Sequence, residues 1–256
     1  MSAPVKVLLG TTKGAFILTP SGKDYSVSGP HCDGWGINHV IGDPGTGAIW
    51  AGGGGDWSGA GVWRSEDGEK WKLCKLSNGQ VDEWAASDPG TAAFFNWTST
   101  DVPFADLKAV WSLHIAHGVL YAGTNPAELI YSSDGGATWK KNGALRDHPS
   151  RDSWNSGAAG LVLHTVLGDP DDANKLWLGI SAAGVFATED GERVGRGGTD
   201  YPMTRCALNT TILPRRGTVT PASVCTICSV APVVSCINKI TTGPIAAPMV
   251  DAPGRM

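Results

Sequence analysis

Ser132-Ser133-Asp134-Gly135-Gly136-Ala137-Thr138-Trp139 spells a tight turn closed by a tryptophan, and it does not stand alone. The run Ser65-Glu66-Asp67-Gly68 leads to Trp71, and Thr188-Glu189-Asp190-Gly191 begins in the same way after an apolar strand. A hydroxyl and a carboxylate at this spacing can accept backbone N–H bonds inside one turn. The glycines can take positive φ, and the tryptophan can fold back onto a neighbouring sheet. Such a turn serves structure before chemistry. The stretch from Asp67 to Trp71 is one residue shorter than its counterpart from Asp134 to Trp139, so that turn is a variant.

The turns close three longer repeats, at 37–71, 111–139 and 161–191. Each runs from an apolar strand carrying a histidine, through a strand of the form aromatic-x-Gly, to a strand ending just before the Asp-Gly turn. Residues 5–19 supply a further partial copy without the histidine strand. Short β-prone runs between Gly-rich turns, with no sustained helical period, indicate an all-β chain. A meander of three or four strands is too small to hold a core alone, so the copies must pack on one another.

Ser132-x-Asp134-x-Gly136-x-x-Trp139 resembles the Asp-box, or BNR repeat, of sialidase-like β-propellers. The wording Gly36-Ile-Asn-His-Val-Ile-Gly-Asp-Pro, residues 148–154 and residues 161–170 are similar to a family of bacterial BNR-repeat proteins labelled exo-α-sialidase-like. The resemblance covers residues 5–191 and implies an incomplete Asp-box propeller: an N-terminal stub and three blades. The structural residues it marks are Ser65, Asp67, Trp71, Ser132, Asp134, Gly136, Trp139, Thr188 and Asp190.

In a propeller the first strand of each blade lines a central channel. His39, His114 and His164 recur on that strand, so a blade rotation would gather their imidazoles around the axis, able to hold a metal, an anion or a sugar hydroxyl. The plainer and preferred reading has each ring bonding within or between blades. Trp111 and Trp154 are candidate sugar-stacking residues, or else packing residues. Arg151, with Arg146 and His148, lies in a segment that reads as an exposed loop near a channel mouth. Residues 82–106, with Trp84, Phe94, Phe95 and Trp97, read as a long insertion whose aromatics cover a blade edge.

The sialidase label implies an arginine cluster for a carboxylate, a tyrosine nucleophile with a glutamate, and an acid/base aspartate. Before Gly191 the only arginines are Arg64, Arg146 and Arg151. Asp43 and Asp169 are the candidate acids, but each precedes a proline and reads as a turn residue. The first reading is therefore a binding or scaffold propeller for a glycan, small anion or protein partner, and a sialidase-like glycoside hydrolase is the alternative.

Composition changes abruptly after Asp190. All eleven tryptophans lie between Trp35 and Trp177, whereas Cys206, Cys225, Cys228 and Cys236 fall in the last quarter. Reading the third base of each codon with the first two of the next leaves few residues possible at each step. From Gly191 that frame permits Gly-Lys-Ser-Trp, which completes the third turn. From Ser223 it permits Cys-Val-His-Asn-Leu, another histidine strand. From Cys236 it permits Tyr-Gln-Gln-Asn-His-His-Gly and then a full Asp-box. The expectation is a lost base near codon 191, with 192–256 as an out-of-frame tail that does not fold, and a chain that is non-functional as it stands. Cys225-Thr-Ile-Cys228 then carries no metal, and Cys32 and Cys74 are reduced core thiols. A net charge of −4 without a basic cluster argues against nucleic acid or an anionic membrane as partner. The apolar start is too short for a signal peptide, so a cytoplasmic chain without cofactor or metal is expected.

Overall fold

The computed structural model describes residues 5–156, 160–188 and 204–205, and it shows four antiparallel meanders in series. The first comprises β1 (Val7–Thr11), β2 (Gly14–Ser21) and β3 (Asp24–His31). The second comprises β4 (Ile37–Gly42), β5 (Ile49–Gly55), β6 (Gly59–Ser65) and β7 (Lys72–Lys75). The third comprises β8 (Ala109–Ala116), β9 (Val119–Asn125), β10 (Leu129–Ser132) and β11 (Lys140–Lys141). In the fourth, β12 (Leu163–Gly168), β13 (Leu176–Ile180) and β14 (Gly184–Thr188) precede a two-residue strand, β15 (Thr204–Arg205). The all-β reading holds for this architecture. Asp190 and the late cysteines lie outside the described residues, as does nearly all of 192–256.

Each Ser/Asp turn closes as its chemistry requires. Ser132 Oγ donates to Asp134 Oδ1 at 2.7 Å and accepts from Gly136 N at 2.8 Å. Asp134 also accepts from Thr138 N and Thr138 Oγ1, and Trp139 Nε1 donates to Gly136 O. Those bonds to Thr138 hold the Asp134 carboxyl down to about 2. The shorter turn makes the same set: Ser65 Oγ to Asp67, Gly68 N to Ser65, Lys70 N to Asp67, and Trp71 Nε1 to Gly68 O. In the fourth meander Thr188 Oγ1 is buried and has no partner among the described residues.

The core lies between meanders. Ile17, Ile37, Val40 and Trp63 pack between the first and second, and Trp50, Val110, Leu113, Ile130 and Trp139 between the second and third. Tyr121, Leu145, Leu163, Leu178 and Phe186 fill the third gap. Strand β4 packs on β1, β8 on β5, and β12 on β9. Glycine makes this approach possible. A Cβ on Gly52 would lie 2.5 Å from Val110 Cγ1, and one on Gly123 would lie 2.4 Å from the Leu163 carbonyl oxygen. The aromatic-x-Gly strand is therefore the docking face for the next sheet. At the outer turn the complementary contact is bulky, since a Cβ on Gly136 would meet the Trp50 ring at 2.8 Å.

One expectation changes in the connection from β7 to β8. It contains two helices, α1 (Gln80–Ser87) and α2 (Pro89–Phe94), rather than a loop. Asp88 caps α2 by accepting from Thr91 N at 2.7 Å, with Pro89 in the first turn. Asp82, buried on α1, accepts from Gly79 N and Trp97 Nε1 and pairs with Lys75. The segment is thus pinned at its base. Trp97 anchors it, whereas Trp84, Phe94 and Phe95 are exposed instead of covering a sheet edge.

Candidate functional site

The recurring histidines do not stand at matching positions. Opposite the glycine of each aromatic-x-Gly strand lie His39, Ser112 and Thr165. His114 pairs with Tyr121, two residues further along its strand, and His164 sits where the register of β12 shifts. Each strand has a bulge at the same place, at Asn38, Trp111 and His164, so His39 lies one residue beyond its bulge, His114 three residues beyond, and His164 within it. The expectation of one ring of equivalent imidazoles is corrected accordingly.

What the rings do is join sheets. Leu113 N of β8 donates to His39 Nδ1 at 2.8 Å, and Gly168 N of β12 donates to His114 Nε2 at 2.8 Å. Ser112, the register equivalent of His39, likewise reaches forward, donating from Oγ to Leu163 O at 3.0 Å. A ring nitrogen that accepts an N–H must be unprotonated. Burial pushes His39 down to about 4, and burial together with the nearby His39 does the same to His114. His164 is also lowered by burial, and its Nδ1 lies 2.9 Å from Thr165 Oγ1. Neutral rings with one nitrogen engaged make poor anion holders. Among the described residues no three His, Cys, Asp or Glu side chains converge as a metal site.

The segment from β11 to β12 is likewise packed rather than open. It contains a short helix, α3 (Gly143–Arg146), capped by Asn142 Oδ1, and a 3-10 turn at Arg151–Ser153. Trp154 is buried against Phe186, with ring centroids 4.9 Å apart, and the Arg151 guanidinium covers its ring at 4.6 Å. His148 also contacts Phe186, at 5.1 Å. Trp154 therefore has no open face for a sugar, because Phe186 and Arg151 occupy the space a pyranose would need. Trp111 lies half-buried at the bulge of β8. Arg151 turns inward, donating to Ala127 O and pairing with Glu128 Oε1 at 3.3 Å. Arg64 stacks on Trp50 and pairs with Glu66, so it does not join Arg151 in a common clamp.

Both carboxylates proposed as acids are turn residues. Asp43 accepts from Gly45 N and Thr46 Oγ1, and the Thr46 hydroxyl holds its carboxyl below the usual range. Asp169 accepts from Asp171 N and Asp172 N. A carboxylate held ionised as Asp43 is does not donate a proton near neutral pH. The residue overlooked in the sequence is Glu128. Its side chain is buried at the tip of the β9–β10 hairpin, and desolvation raises its carboxyl although Arg151 is beside it. Nothing in the local motif Asn125-Pro126-Ala127-Glu128 signals this, because its burial depends on a segment more than twenty residues away.

Cys32 and Cys74 are free, and burial raises the Cys32 thiol to about 12. No helix among the described residues is long and apolar enough to cross a membrane. Neither a family model nor a curated protein matches the chain. A solved structure described as YCF48 bound to D1 peptide is similar over 75% of this chain and 68% of its own, with 13% identity and a TM-score of 0.32.

Proposed function

We propose that the chain is a stretch of an Asp-box β-propeller that works as a binding scaffold rather than as a glycoside hydrolase. One observation carries the reading: the polar side chains that recur in the repeats are engaged in holding sheets and turns together. His39 and His114 bond the next sheet, and Asp67 and Asp134 close turns. The candidate acids Asp43 and Asp169 are likewise engaged in turns and do not form the facing carboxyl pair that glycoside hydrolysis requires. The partner is a protein engaged at the end of the sheets where β4, β8 and β12 begin, beside the two long connections.

The test is hydrolysis of fluorogenic sialosides by the full chain and by its frame-corrected form. Background rates, unchanged in Glu128→Gln, are expected. Robust turnover lost in Glu128→Gln would overturn the scaffold reading, since among the described residues Glu128 is the one buried carboxyl with a raised pKa.

The same proposal includes a lost base near codon 191. Its support lies in the sequence, where the tryptophans stop at Trp177 and four of the six cysteines follow Asp190. Restoring the base would supply a histidine strand and a completed turn. Resequencing that codon decides it, and an intact frame sinks this part of the proposal.

A further inference from the structure

Four aromatic rings on the β5–β6 hairpin tip and the two helices form a continuous exposed ladder. Trp57 is 51% exposed, Trp84 51%, Phe95 43% and Phe94 82%. Their centroids succeed one another at 6.3, 6.3 and 5.0 Å. Single exposed apolar side chains are ordinary, but a contiguous set is not. At about 200 Å² per aromatic side chain, the four present about 450 Å², the scale at which surface patches are commonly functional.

The ladder is rigidly mounted. Gln80 N and Val81 N donate to the hairpin carbonyls Asp56 O and Trp57 O at 2.9 and 3.0 Å, tying α1 to the tip that carries Trp57. Below, buried Asp82 fixes Gly79, Trp97 and Lys75. A preorganised surface loses little conformational entropy on binding.

Geometry and charge together select the occupant. Successive rings meet at 62°, 65° and 89°, so they share no plane on which a pyranose could lie. Steeply inclined rings instead leave clefts that fit single apolar side chains. Residues 76–107 contain five acidic residues and no Lys or Arg. Of these, Asp82 pairs with Lys75 and Asp106 with Lys141, while Glu83, Asp88 and Asp101 form no ion pair among the described residues. Ring faces and unpaired carboxylates both favour a cation.

We infer that Trp57, Trp84, Phe95 and Phe94 form a docking surface for a protein segment that combines apolar side chains with Lys or Arg. This deepens the scaffold reading, yet its failure is separable: the scaffold reading stands or falls on turnover, this one on peptide binding.

The experiment is fluorescence anisotropy of the full chain with labelled twelve-residue peptides alternating Arg or Lys with Leu or Phe. Acidic-apolar and basic-polar peptides of equal length serve as controls. The basic-apolar peptide is expected to bind at least tenfold tighter than either control. The triple variant Trp84→Ser, Phe94→Ser, Phe95→Ser should lose at least tenfold, with its thermal unfolding unchanged. Glu83→Lys with Asp101→Lys should weaken binding several-fold and flatten its salt dependence. Equal binding by the triple variant, or preference for the acidic peptide, overturns the inference. So does sedimentation showing that the wild-type ladder is covered by a second copy of the chain.

Discussion

Acidification from pH 7 to pH 5 should weaken this fold through two histidines. His39 and His114 sit at about 4 in the folded chain against an ordinary value of 6.5, because burial disfavours the imidazolium at both and the nearby His39 adds to the effect at His114. A depressed histidine pKa means that the unfolded chain takes up protons first. Stability is therefore full above about pH 6.5, falls between 6.5 and 4, and levels off below. A shift of that size costs about 2 kcal/mol per ring by pH 5, so roughly 4 kcal/mol for the two, somewhat less where water reaches the half-buried rings. The carboxylates held low, Asp43, Asp67 and Asp134 among them, lose their stabilisation only nearer pH 4 and below, leaving the histidine window clear. Glu128, raised by burial, acts in the opposite sense and offsets a part. Urea unfolding followed by tryptophan fluorescence at pH 7, 6 and 5 measures the loss. In His39→Asn with His114→Gln, amide oxygens replace Nδ1 and Nε2 as acceptors without titrating, and the loss should shrink below about 1 kcal/mol. Equal losses in wild type and double variant would refute the staple argument.

Three further outcomes follow from the packing. Gly123→Ala drives a Cβ to 2.4 Å from Leu163 and should destabilise by about 3 kcal/mol in urea titration, whereas Gly55→Ala meets nothing within 4 Å and should be near neutral. Trp139→Ala removes a ring that is 7% exposed between the second and third meanders and should cost about 4 kcal/mol, while Trp57→Ala stays within about 0.5 kcal/mol by the same titration. Arg151→Ala strips the cation from buried Glu128 and should cost about 3 kcal/mol, recovered in large part by adding Glu128→Gln in a double-mutant cycle.

The turns were legible because their chemistry is local. Ser132, Asp134, Gly136 and Trp139 satisfy one another within eight residues, so the motif alone predicts the backbone N–H bonds that Ser132 and Asp134 accept, though not the bond from Trp139 Nε1 to Gly136 O. The aromatic-x-Gly strand was recognisable as a repeat, but its purpose appears only when Val110 or Leu163 comes to lie on the glycine. Histidine register was illegible for a different reason. The hairpin that follows the strand is six residues long after β4 and two after β8, so the wording around His39 and His114 does not fix their register, and they stand two positions apart in the sheets. Helices α1 and α2, at eight and six residues, are too short to show a period. The pair Asp88-Pro89 is the one available signal, and the same pair opens turns as readily as helices. Trp154 looked exposed because its covering residue, Phe186, is far along the chain.

Glycine where strands of successive sheets meet, and indole where the turns meet, give the first two gaps between sheets a taper. Equal tapers stacked in one direction compel the row of sheets to bend, much as wedge-cut stones make an arch. Its radius is then a matter of side-chain volume at residues such as Gly52, Gly123, Trp50 and Trp139. Trimming an indole should tighten or loosen that arc before it melts the fold, a change that small-angle scattering can detect in a chain still fully β.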